Sequence, residues 1–522
     1  MKKILEKINS NLSLSLAFLT LIFLSVQSAR AATITVVSSA NDGAGSLRQA
    51  ILDAAPGDTI NFDVSPGEQF YVAVSTELVI DKNITIQGPD PVRLILTGPN
   101  LSIGPKLSRI LRIAAGVTVR LEGLTIADGK SGTSFGGNIS NAGMLTIQNC
   151  IVSGGEAPSG GGIFNNGGTL RITNSTIKNG FATNSGAGIF NSSGGSALIL
   201  NSAVQNNDAL LNGGGIANNG FLSIVNTTVA HNIANRGAAV SNLGTLVSTN
   251  STVAFNELRF ANSDMGAGGI NAAGMETLHN TIVAGNFTTP TGLNEIGGTV
   301  ETANNNLIAD PATSGGIVHG ANGNVVGDGG ISLLDPFSGE ILGAGDVTAN
   351  DGIFYLPAAG SPAINAGGNA LAVDADNNPL TTDQRGAGFP RIVGGTVDIG
   401  ATEQAALYNF SGFLQPVDNL PAVNITTPGG SIPVKFSLGG NKGLDIFAVG
   451  YPKSMQVACE TGEGGSTIEE TVSAGGSTLT YDAALDQYRY VWKTERAWRG
   501  SCRLFVLKLN DGSEHSAKFR FR

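Results

Sequence analysis

The chain has 522 residues, of which 13% are charged and 73 are Gly, and its formal net charge is −10. An ordinary soluble domain carries about 25% charged residues. A chain this sparsely and negatively charged, with no basic face, repels a phosphate backbone, which argues against a nucleic-acid partner.

Met1-Lys2-Lys3 precedes an apolar run from Leu12 to Val26 and the triplet Ala29-Arg30-Ala31. A charged start, a short apolar core and a small-residue site are the marks of a secretory signal peptide. Residues 1–31 therefore read as a cleaved export signal, and the mature protein is expected to be secreted or associated with the cell surface. No later stretch approaches the roughly 20 apolar residues of a membrane-crossing helix, so no transmembrane segment is expected in the mature chain. Residues 32–75 read as a cap. Thr33-Ile34-Thr35-Val36-Val37 has strand character, and Ser46 can cap a short helix from Leu47 to Ala54 with an apolar face of Leu47, Ala50, Ile51 and Ala54. Pro56-Gly57-Asp58 stops that helix. A stack of coils needs such a cap, because its first coil otherwise leaves an open edge and a bare apolar layer.

Residues 76–310 read as the stack itself. Irregular strands come first, among them Leu78-Val79-Ile80, Ile84-Thr85-Ile86 and Leu94-Ile95-Leu96. From Gly136 to Asn286 the template G-G-x-I-x-N-x-G-x-L-x-I-x-N-x-x-V-x-x-N recurs. One Asn column reads Asn149, Asn174, Asn201, Asn226, Asn250 and Asn280, in steps of 24 to 30 residues. A period in the twenties with alternating apolar runs, such as Leu170-Arg171-Ile172, marks a solenoid of strands. Energetics require the stacking. One coil buries about four aliphatic side chains, such as Ile163, Leu170, Ile172 and Ile177, at roughly 1.5–3 kcal/mol each. Ordering some 25 residues costs roughly 1–2 kcal/mol apiece. A coil holds only when neighbours above and below pair its backbone.

The Asn columns suit the turns of such a stack, since Asn tolerates the left-handed conformation and stacked amides can bond along the axis. A second column reads Asn141, Asn165, Asn191, Asn218 and Asn242, and breaks at Ala272. A third reads Asn179, Asn206, Asn232, Asn256 and Asn286. Cys150 aligns with Ser175, Ser202, Thr227, Ser251 and Thr281, an inward slot for small residues, and reads as a buried thiol.

The repeat is lost over residues 311–403, which hold Pro, Asp and Gly turns. Residues 404–522 differ again. Strand-like runs about ten residues apart, including Val434-Lys435-Phe436, Ser477-Thr478-Leu479, Tyr488-Arg489-Tyr490-Val491-Trp492 and Leu504-Phe505-Val506-Leu507, suit a small β-sandwich. Cys459 and Cys502 both lie there, and export favours a disulfide between them. The expected fold is all-β: a right-handed parallel β-helix with an N-terminal cap, followed by an immunoglobulin-like sandwich.

Three motifs resemble known families. Ser46-Leu47-Arg48-Gln49-Ala50-Ile51 resembles the SLREAI-type start of bacterial exported β-helix proteins, with Gln49 in place of the usual acid. Gly360-Ser361-Pro362-Ala363-Ile364-Asn365-Ala366-Gly367, Asp383-Gln384-Arg385-Gly386, Pro390-Arg391 and Val397-Asp398-Ile399-Gly400-Ala401-Thr402-Glu403 resemble the end of the choice-of-anchor Q family. Pro433-Val434-Lys435-Phe436 resembles the PxKF domain, a small exported module. These resemblances imply a bacterial surface protein with a parallel β-helix, and neither family brings an established catalytic site. The sorting signal for which the first is named is not evident, and the PxKF-like module occupies that end.

Many parallel β-helices act on acidic polysaccharides. Hydrolysis needs paired carboxylates, and elimination needs clustered acids for Ca²⁺ with a basic residue nearby. The charges on the repeat, such as Lys130, Glu156, Arg171, Asp208, Glu257 and Glu276, are scattered, and no two acids recur one period apart at one slot. His231 and His279 do not align as a pair. No catalytic residue and no cofactor is expected. Ca²⁺ is the one candidate metal: Asp374, Asp376 and Asn378, with Asp383 near, have the alternate-oxygen spacing of a cation loop, against the simpler reading of an Asx-rich turn. Phe164 and Phe190 share a slot one coil apart and form a candidate stack for a sugar. The expected function is an exported, non-enzymatic adhesive or scaffolding β-helix whose partner is a surface polysaccharide or another extracellular protein. A β-helix polysaccharide lyase or glycoside hydrolase is the alternative.

Overall fold

The structure is a computed structural model that describes residues 31–98, 108–260, 266–288, 292–327, 352–357, 361–393, 395–404, 408–444, 446–448, 450–459, 464–470, 472–473, 479–509 and 513–522. The expected export signal, but for Ala31, and most of the Ser477-Thr478-Leu479 run lie outside these residues. The chain forms two compact units, Met1–Glu403 and Gln404–Arg522.

In the first unit, successive coils pair strand upon strand. Among the described residues four sheets run along the stack. The first has eleven strands, from Thr33–Val36 to Thr302–Asn304, and the second nine, from Leu78–Ile80 to Ile296–Gly298. The third has eleven, from Phe70–Ala73 to Val325–Val326, and the fourth seven, from Glu156–Ser159 to Gly292–Leu293. Pairing is parallel except at the last step of the fourth sheet, where Phe287–Thr288 meets Gly292–Leu293 antiparallel. The unit is therefore a β-solenoid.

Its core follows from the period-two pattern. Ile139, Ile163, Ile189, Ile216, Val240, Ile270 and Ile296 stand in register, one per coil, and all are buried. Leu145, Leu170, Ala197, Leu222 and Leu246 form a second inward column. The helix Leu47–Asp53 covers the first coil with Leu47, Ala50 and Ile51, and the Ser46 hydroxyl accepts from the Gln49 amide at its start.

The turns are made by Asn. Asn149, Asn174, Asn201, Asn226, Asn250 and Asn280 all have φ between 43° and 51°, the left-handed region that Asn enters more readily than other residues with a Cβ. The second column is a buried amide ladder. Asn141 Nδ2 donates to Asn165 Oδ1, Asn165 to Asn191, Asn191 to Asn218 and Asn218 to Asn242, at 2.6–2.8 Å. The third column needs correction, because it is two slots. Asn179 and Asn206 share a left-handed slot with His231 and Phe255. The buried ladder runs one residue later, through Asn207, Asn232, Asn256 and Asn286. The small-residue slot also bonds along the axis: the amides of Cys150 and Ser175 each donate to the hydroxyl of the next coil at 3.1 Å.

The second unit is a two-sheet sandwich. One sheet carries Phe413–Leu414, Ser431–Phe436, Gln487–Lys493 and Val472–Ser473, with Thr480–Asp482 paired to Gln487–Lys493; the other orders Val423–Thr426, Glu514–Phe521, Cys502–Lys508, Lys453–Val457 and Gly464–Glu470. Trp492 of the first sheet packs on Phe505 and Phe519 of the second, with ring centroids 4.9 and 5.0 Å apart. Cys459 and Cys502 are bridged.

Candidate functional site

The described parts of the non-repeating segment, residues 352–357, 361–393 and 395–403, return along the solenoid and meet the Asn column of its left-handed turns. Asn305 Nδ2 donates to the Ala366 carbonyl at 3.1 Å. Asn280 grips Gly368 on both sides, donating to its carbonyl at 3.1 Å and accepting from its amide at 2.8 Å. Asn226 Nδ2 donates to the Thr382 carbonyl at 2.8 Å. Gln384 accepts from the Thr228 hydroxyl and donates to the Ser202 carbonyl. The amide of Ile353 donates to Gln205.

A buried polar network shapes this strap. Arg391, fully buried, donates through Nε and Nη2 to one oxygen of Glu403 and through Nη1 to Asn226 Oδ1 and the Gly400 carbonyl. Asp383, also buried, accepts from Arg385 and from the Glu403 amide. Asp398 Oδ1 accepts from the Asn365 amide at 2.7 Å. The charged residues of the motifs that resemble choice-of-anchor Q thus bond to one another and to the solenoid. Their chemistry is that of internal ion pairs that fix the strap's path.

Residues of the strap and of the solenoid together line a cleft of about 460 Å³. Asn149, Asn174 and Asn201 of the turn column line it together with Gln87, Ser175 and Thr176, and Phe354 and Arg385 line it from the strap. The Arg385 guanidinium lies over the Phe389 ring, 4.1 Å from its centroid. Phe354 is 4% exposed. The lining mixes these amides and hydroxyls with the charged Asp90, Glu122 and Arg385 and with the apolar Pro89, Pro91 and Ala203.

Two acids end the ladders. Asn242 Nδ2 donates to Glu276 Oε1 at 2.7 Å. Asn286 Nδ2 donates to Glu295 Oε2 at 2.7 Å, and the amides of Gly285 and Asn286 donate to the same carboxyl. Burial pushes Glu295 up to about 7, against those three bonds, which favour its ionised form. Burial raises Glu276 as well, and neighbouring Glu301 adds to the rise. Glu276 and Glu301 face each other one coil apart, since Thr277 pairs with Thr302. This corrects the expectation that no two acids share a slot. The scattered charges of the repeat end at Glu276, and its partner comes from the following coil.

The remaining expected residues fall as follows. Asp374 forms an Asx turn, its Oδ1 accepting from the amides of Asp376 and Asn378 at 2.9 Å. Asp383 is held by Arg385, so its carboxylate is committed to an ion pair. No group of three or more His, Cys, Asp or Glu arranged to hold a metal occurs among the described residues. Phe164 and Phe190 do stack, with centroids 5.5 Å apart, and Phe135 joins them at 4.9 Å. Phe164 is 8% exposed and Phe135 45%, so Phe135 presents the most open face of the three. His231 Nε2 meets the Tyr355 hydroxyl at 2.6 Å, whereas His279 contacts Asn304. Cys150 is a buried free thiol, pushed up to about 12 by burial. No helix among the described residues is long and apolar enough to cross a membrane.

No known family model matches the sequence, and comparison with curated proteins and with solved structures finds no significant match.

Proposed function

We propose that the chain is an exported, non-enzymatic β-solenoid that serves as an adhesive or scaffolding element at or outside a bacterial cell surface. In this reading it follows the plan of the choice-of-anchor Q family, with a PxKF-type sandwich behind it. The observation that carries the proposal is the fate of the polar residues. The two amide ladders are committed to bonds along the stack, and the motif charges to the strap. What remains outward is a long, weakly charged, hydrogen-bonding surface, which suits attachment to a surface polysaccharide or an extracellular protein.

Two observations speak for narrower readings. The exposed face of Phe135 in the three-ring stack favours a glycan as ligand. The Glu276–Glu301 pair favours the enzymatic alternative, since the two acids are pushed in opposite directions: burial and then Glu301 raise Glu276, and the bond from the Glu276 amide lowers Glu301. Against it, Glu276 is 1% exposed and its Oε1 accepts from Asn242 Nδ2 and from the Gly274 amide. The test is a glycan array together with reducing-end and unsaturated-product assays on pectin, alginate and chondroitin, with and without Ca²⁺. Binding without product is expected. Turnover that is lost in Glu276→Gln or Glu301→Gln overturns the reading in favour of a hydrolase or lyase.

A further inference from the structure

Folding gathers cations at one end of the sandwich that the sequence keeps apart. Residues 426–430, 494–501 and 520–522 meet there. The amide of Arg522 donates to the Thr426 carbonyl at 3.0 Å, that of Gly500 to the Phe521 carbonyl at 2.8 Å, and that of Phe521 to the Ser501 carbonyl at 3.0 Å. Thr494 ties the segments further, its amide donating to the Gly430 carbonyl at 2.9 Å and its hydroxyl accepting from the Gly429 amide at 3.1 Å. Local geometry then turns four arginines outward. Arg496 opens the short helical turn Arg496–Trp498 and Arg499 follows it, the Arg499 amide donating to the Arg496 carbonyl; residues three apart in such a turn lie one above the other. Arg520 and Arg522 stand two apart at the end of the strand Glu514–Phe521, so both point away from the core that takes Phe519 and Phe521. All four are exposed, and none of their guanidinium groups has an ion pair or hydrogen bond among the described residues. Glu495 is the one acidic side chain in the three segments. This end is a basic exception on a chain of net charge −10, and it corrects the reading that the chain has no basic face.

We propose that this end of the sandwich binds an acidic polysaccharide, one that repeats a carboxylate along its length. Arginine suits that chemistry, because each guanidinium is a planar fork that takes a carboxylate by two parallel bonds. The net negative charge of the whole chain repels such a polymer elsewhere, so its approach is steered to the arginines. Other polyanions fit less well. A single-stranded nucleic acid is held by aromatic rings on which its bases stack, and here Trp498 is 8% exposed, with the Arg503 guanidinium over its ring, and Phe521 is fully buried. A duplex draws its affinity from many phosphate contacts, more than four side chains supply. An anionic lipid surface asks for apolar side chains that enter it. Ile425, paired with Arg520 and 60% exposed, is one such residue, so lipid is an arm of the test. The inference deepens the adhesive reading by naming the charge of the polysaccharide and the unit that takes it, and rests on that reading for its biological sense.

The test is fluorescence anisotropy of the chain from Ala32 onward with a labelled galacturonic acid oligomer, and with its methyl ester, which keeps the sugar and removes the charge. One variant combines Arg499→Gln, Arg520→Gln and Arg522→Gln. Arg496 is left in place because its stem packs on Gly429, where a Cβ would meet Arg496 Cγ at 2.5 Å. A second variant removes three cations elsewhere in the same unit, Lys435→Gln, Lys442→Gln and Arg489→Gln, and so matches the first in net charge. Saturable binding of the acid that weakens as salt rises, failure of the ester, and weakening of about tenfold or more in the first variant against about twofold or less in the second are expected. Absence of binding, equal binding of the ester, or equal loss in the two variants overturns the proposal. Binding that appears only when Glu460→Gln and Glu463→Gln are added overturns it in favour of a partner within the chain. Binding of duplex DNA or of phosphatidylglycerol vesicles that is tighter than that of the acid and is lost in the first variant overturns it in favour of that partner. Turnover lost in Glu276→Gln sinks the non-enzymatic reading and leaves the arginine dependence in place, so the two failures are distinguishable.

Discussion

Glu295 offers the sharpest test of the ladder account. Its carboxyl accepts from the amides of Gly285 and Asn286 and from Asn286 Nδ2, at 2.9, 3.2 and 2.7 Å, and it is fully buried. Replacing it with Ala leaves three donors without an acceptor, at roughly 1–3 kcal/mol each, so the coils around Asn286 are expected to lose roughly 3–9 kcal/mol. The ionisation adds a pH signature. The folded state raises the acid from 4.5 to about 7, so it binds more protons than the unfolded chain between those values. Stability from this group is full below about pH 4.5 and is lost as pH rises through about 7, by roughly 3 kcal/mol. Glu295→Gln is neutral at every pH and lacks that slope. Glu403 is also raised to about 7 by burial, against the attraction of Arg391, and is common to both proteins, so the difference between wild type and Glu295→Gln isolates Glu295. Urea denaturation from about pH 4 to pH 8, with hydrogen exchange at the Gly285 and Asn286 amides, reads both effects. Superimposable pH profiles, or an unchanged midpoint in Glu295→Ala, would refute the argument.

Ile216→Asp puts an unpaired charge into the stacked aliphatic column, where Ile216 is fully buried, and is expected to unfold the solenoid; a wild-type thermal transition would contradict the register described. Arg391→Met leaves Glu403 without its partner in a dry site, a loss of roughly 3–5 kcal/mol, which limited proteolysis should report as new cleavage within residues 361–403; an unchanged digest counts against the strap network. Reducing the Cys459–Cys502 bridge, a separation of 43 residues, should lower sandwich stability by roughly 2–4 kcal/mol. Under native conditions Cys150 should resist thiol reagents at pH 8, because burial holds it far from ionisation; rapid labelling would contradict its place in the core.

The solenoid was legible because its residues answer local demands repeated every coil. Alternating aliphatics mark the inward face, and Asn marks left-handed turns, so Asn149, Asn174 and Asn201 could be placed by spacing alone. Where two Asn adjoin, spacing cannot say which turns and which bonds inward, and the column through Asn179 and Asn206 slipped by one residue from the ladder through Asn207. The strap was not legible as a strap. Its contacts join Asn280 to Gly368 and Ser202 to Gln384, separations of 88 and 182 residues, and no period announces them. The motifs Asp383-Gln384-Arg385 and Pro390-Arg391 were visible, but that their charges pair inward depends on a path that only the fold supplies. The cleft joins residues as far apart as Gln87 and Arg385, so its lining could not be assembled from the sequence, although Asn149, Asn174 and Asn201 were singled out.

The acids that sequence spacing left unexplained follow from the direction of the ladders. In each, Nδ2 of one coil donates to Oδ1 of the next, and every step points the same way along the stack. Such a chain of amides ends in a donor with nothing beyond it. Another amide only moves the problem one coil further, and water is excluded from a fully buried site. A carboxyl solves it, since when ionised it accepts and carries no donor of its own; Glu295 accepts at both oxygens and Glu276 at Oε1. At the break in the second column, where Ala272 replaces Asn, Glu276 turns inward from the slot of Leu222 and Leu246 to receive Asn242. At the end of the other ladder, Glu295 receives Asn286. A shorter ladder from Asn306 stops at Asn324, whose Nδ2 reaches the carbonyls of Ala303 and Ala321 instead. Inward carboxyls on a β-solenoid invite a catalytic reading. Here the two longer ladders each end on an inward carboxyl that receives their last donor, and this structural role is what weighs the Glu276–Glu301 pair towards architecture.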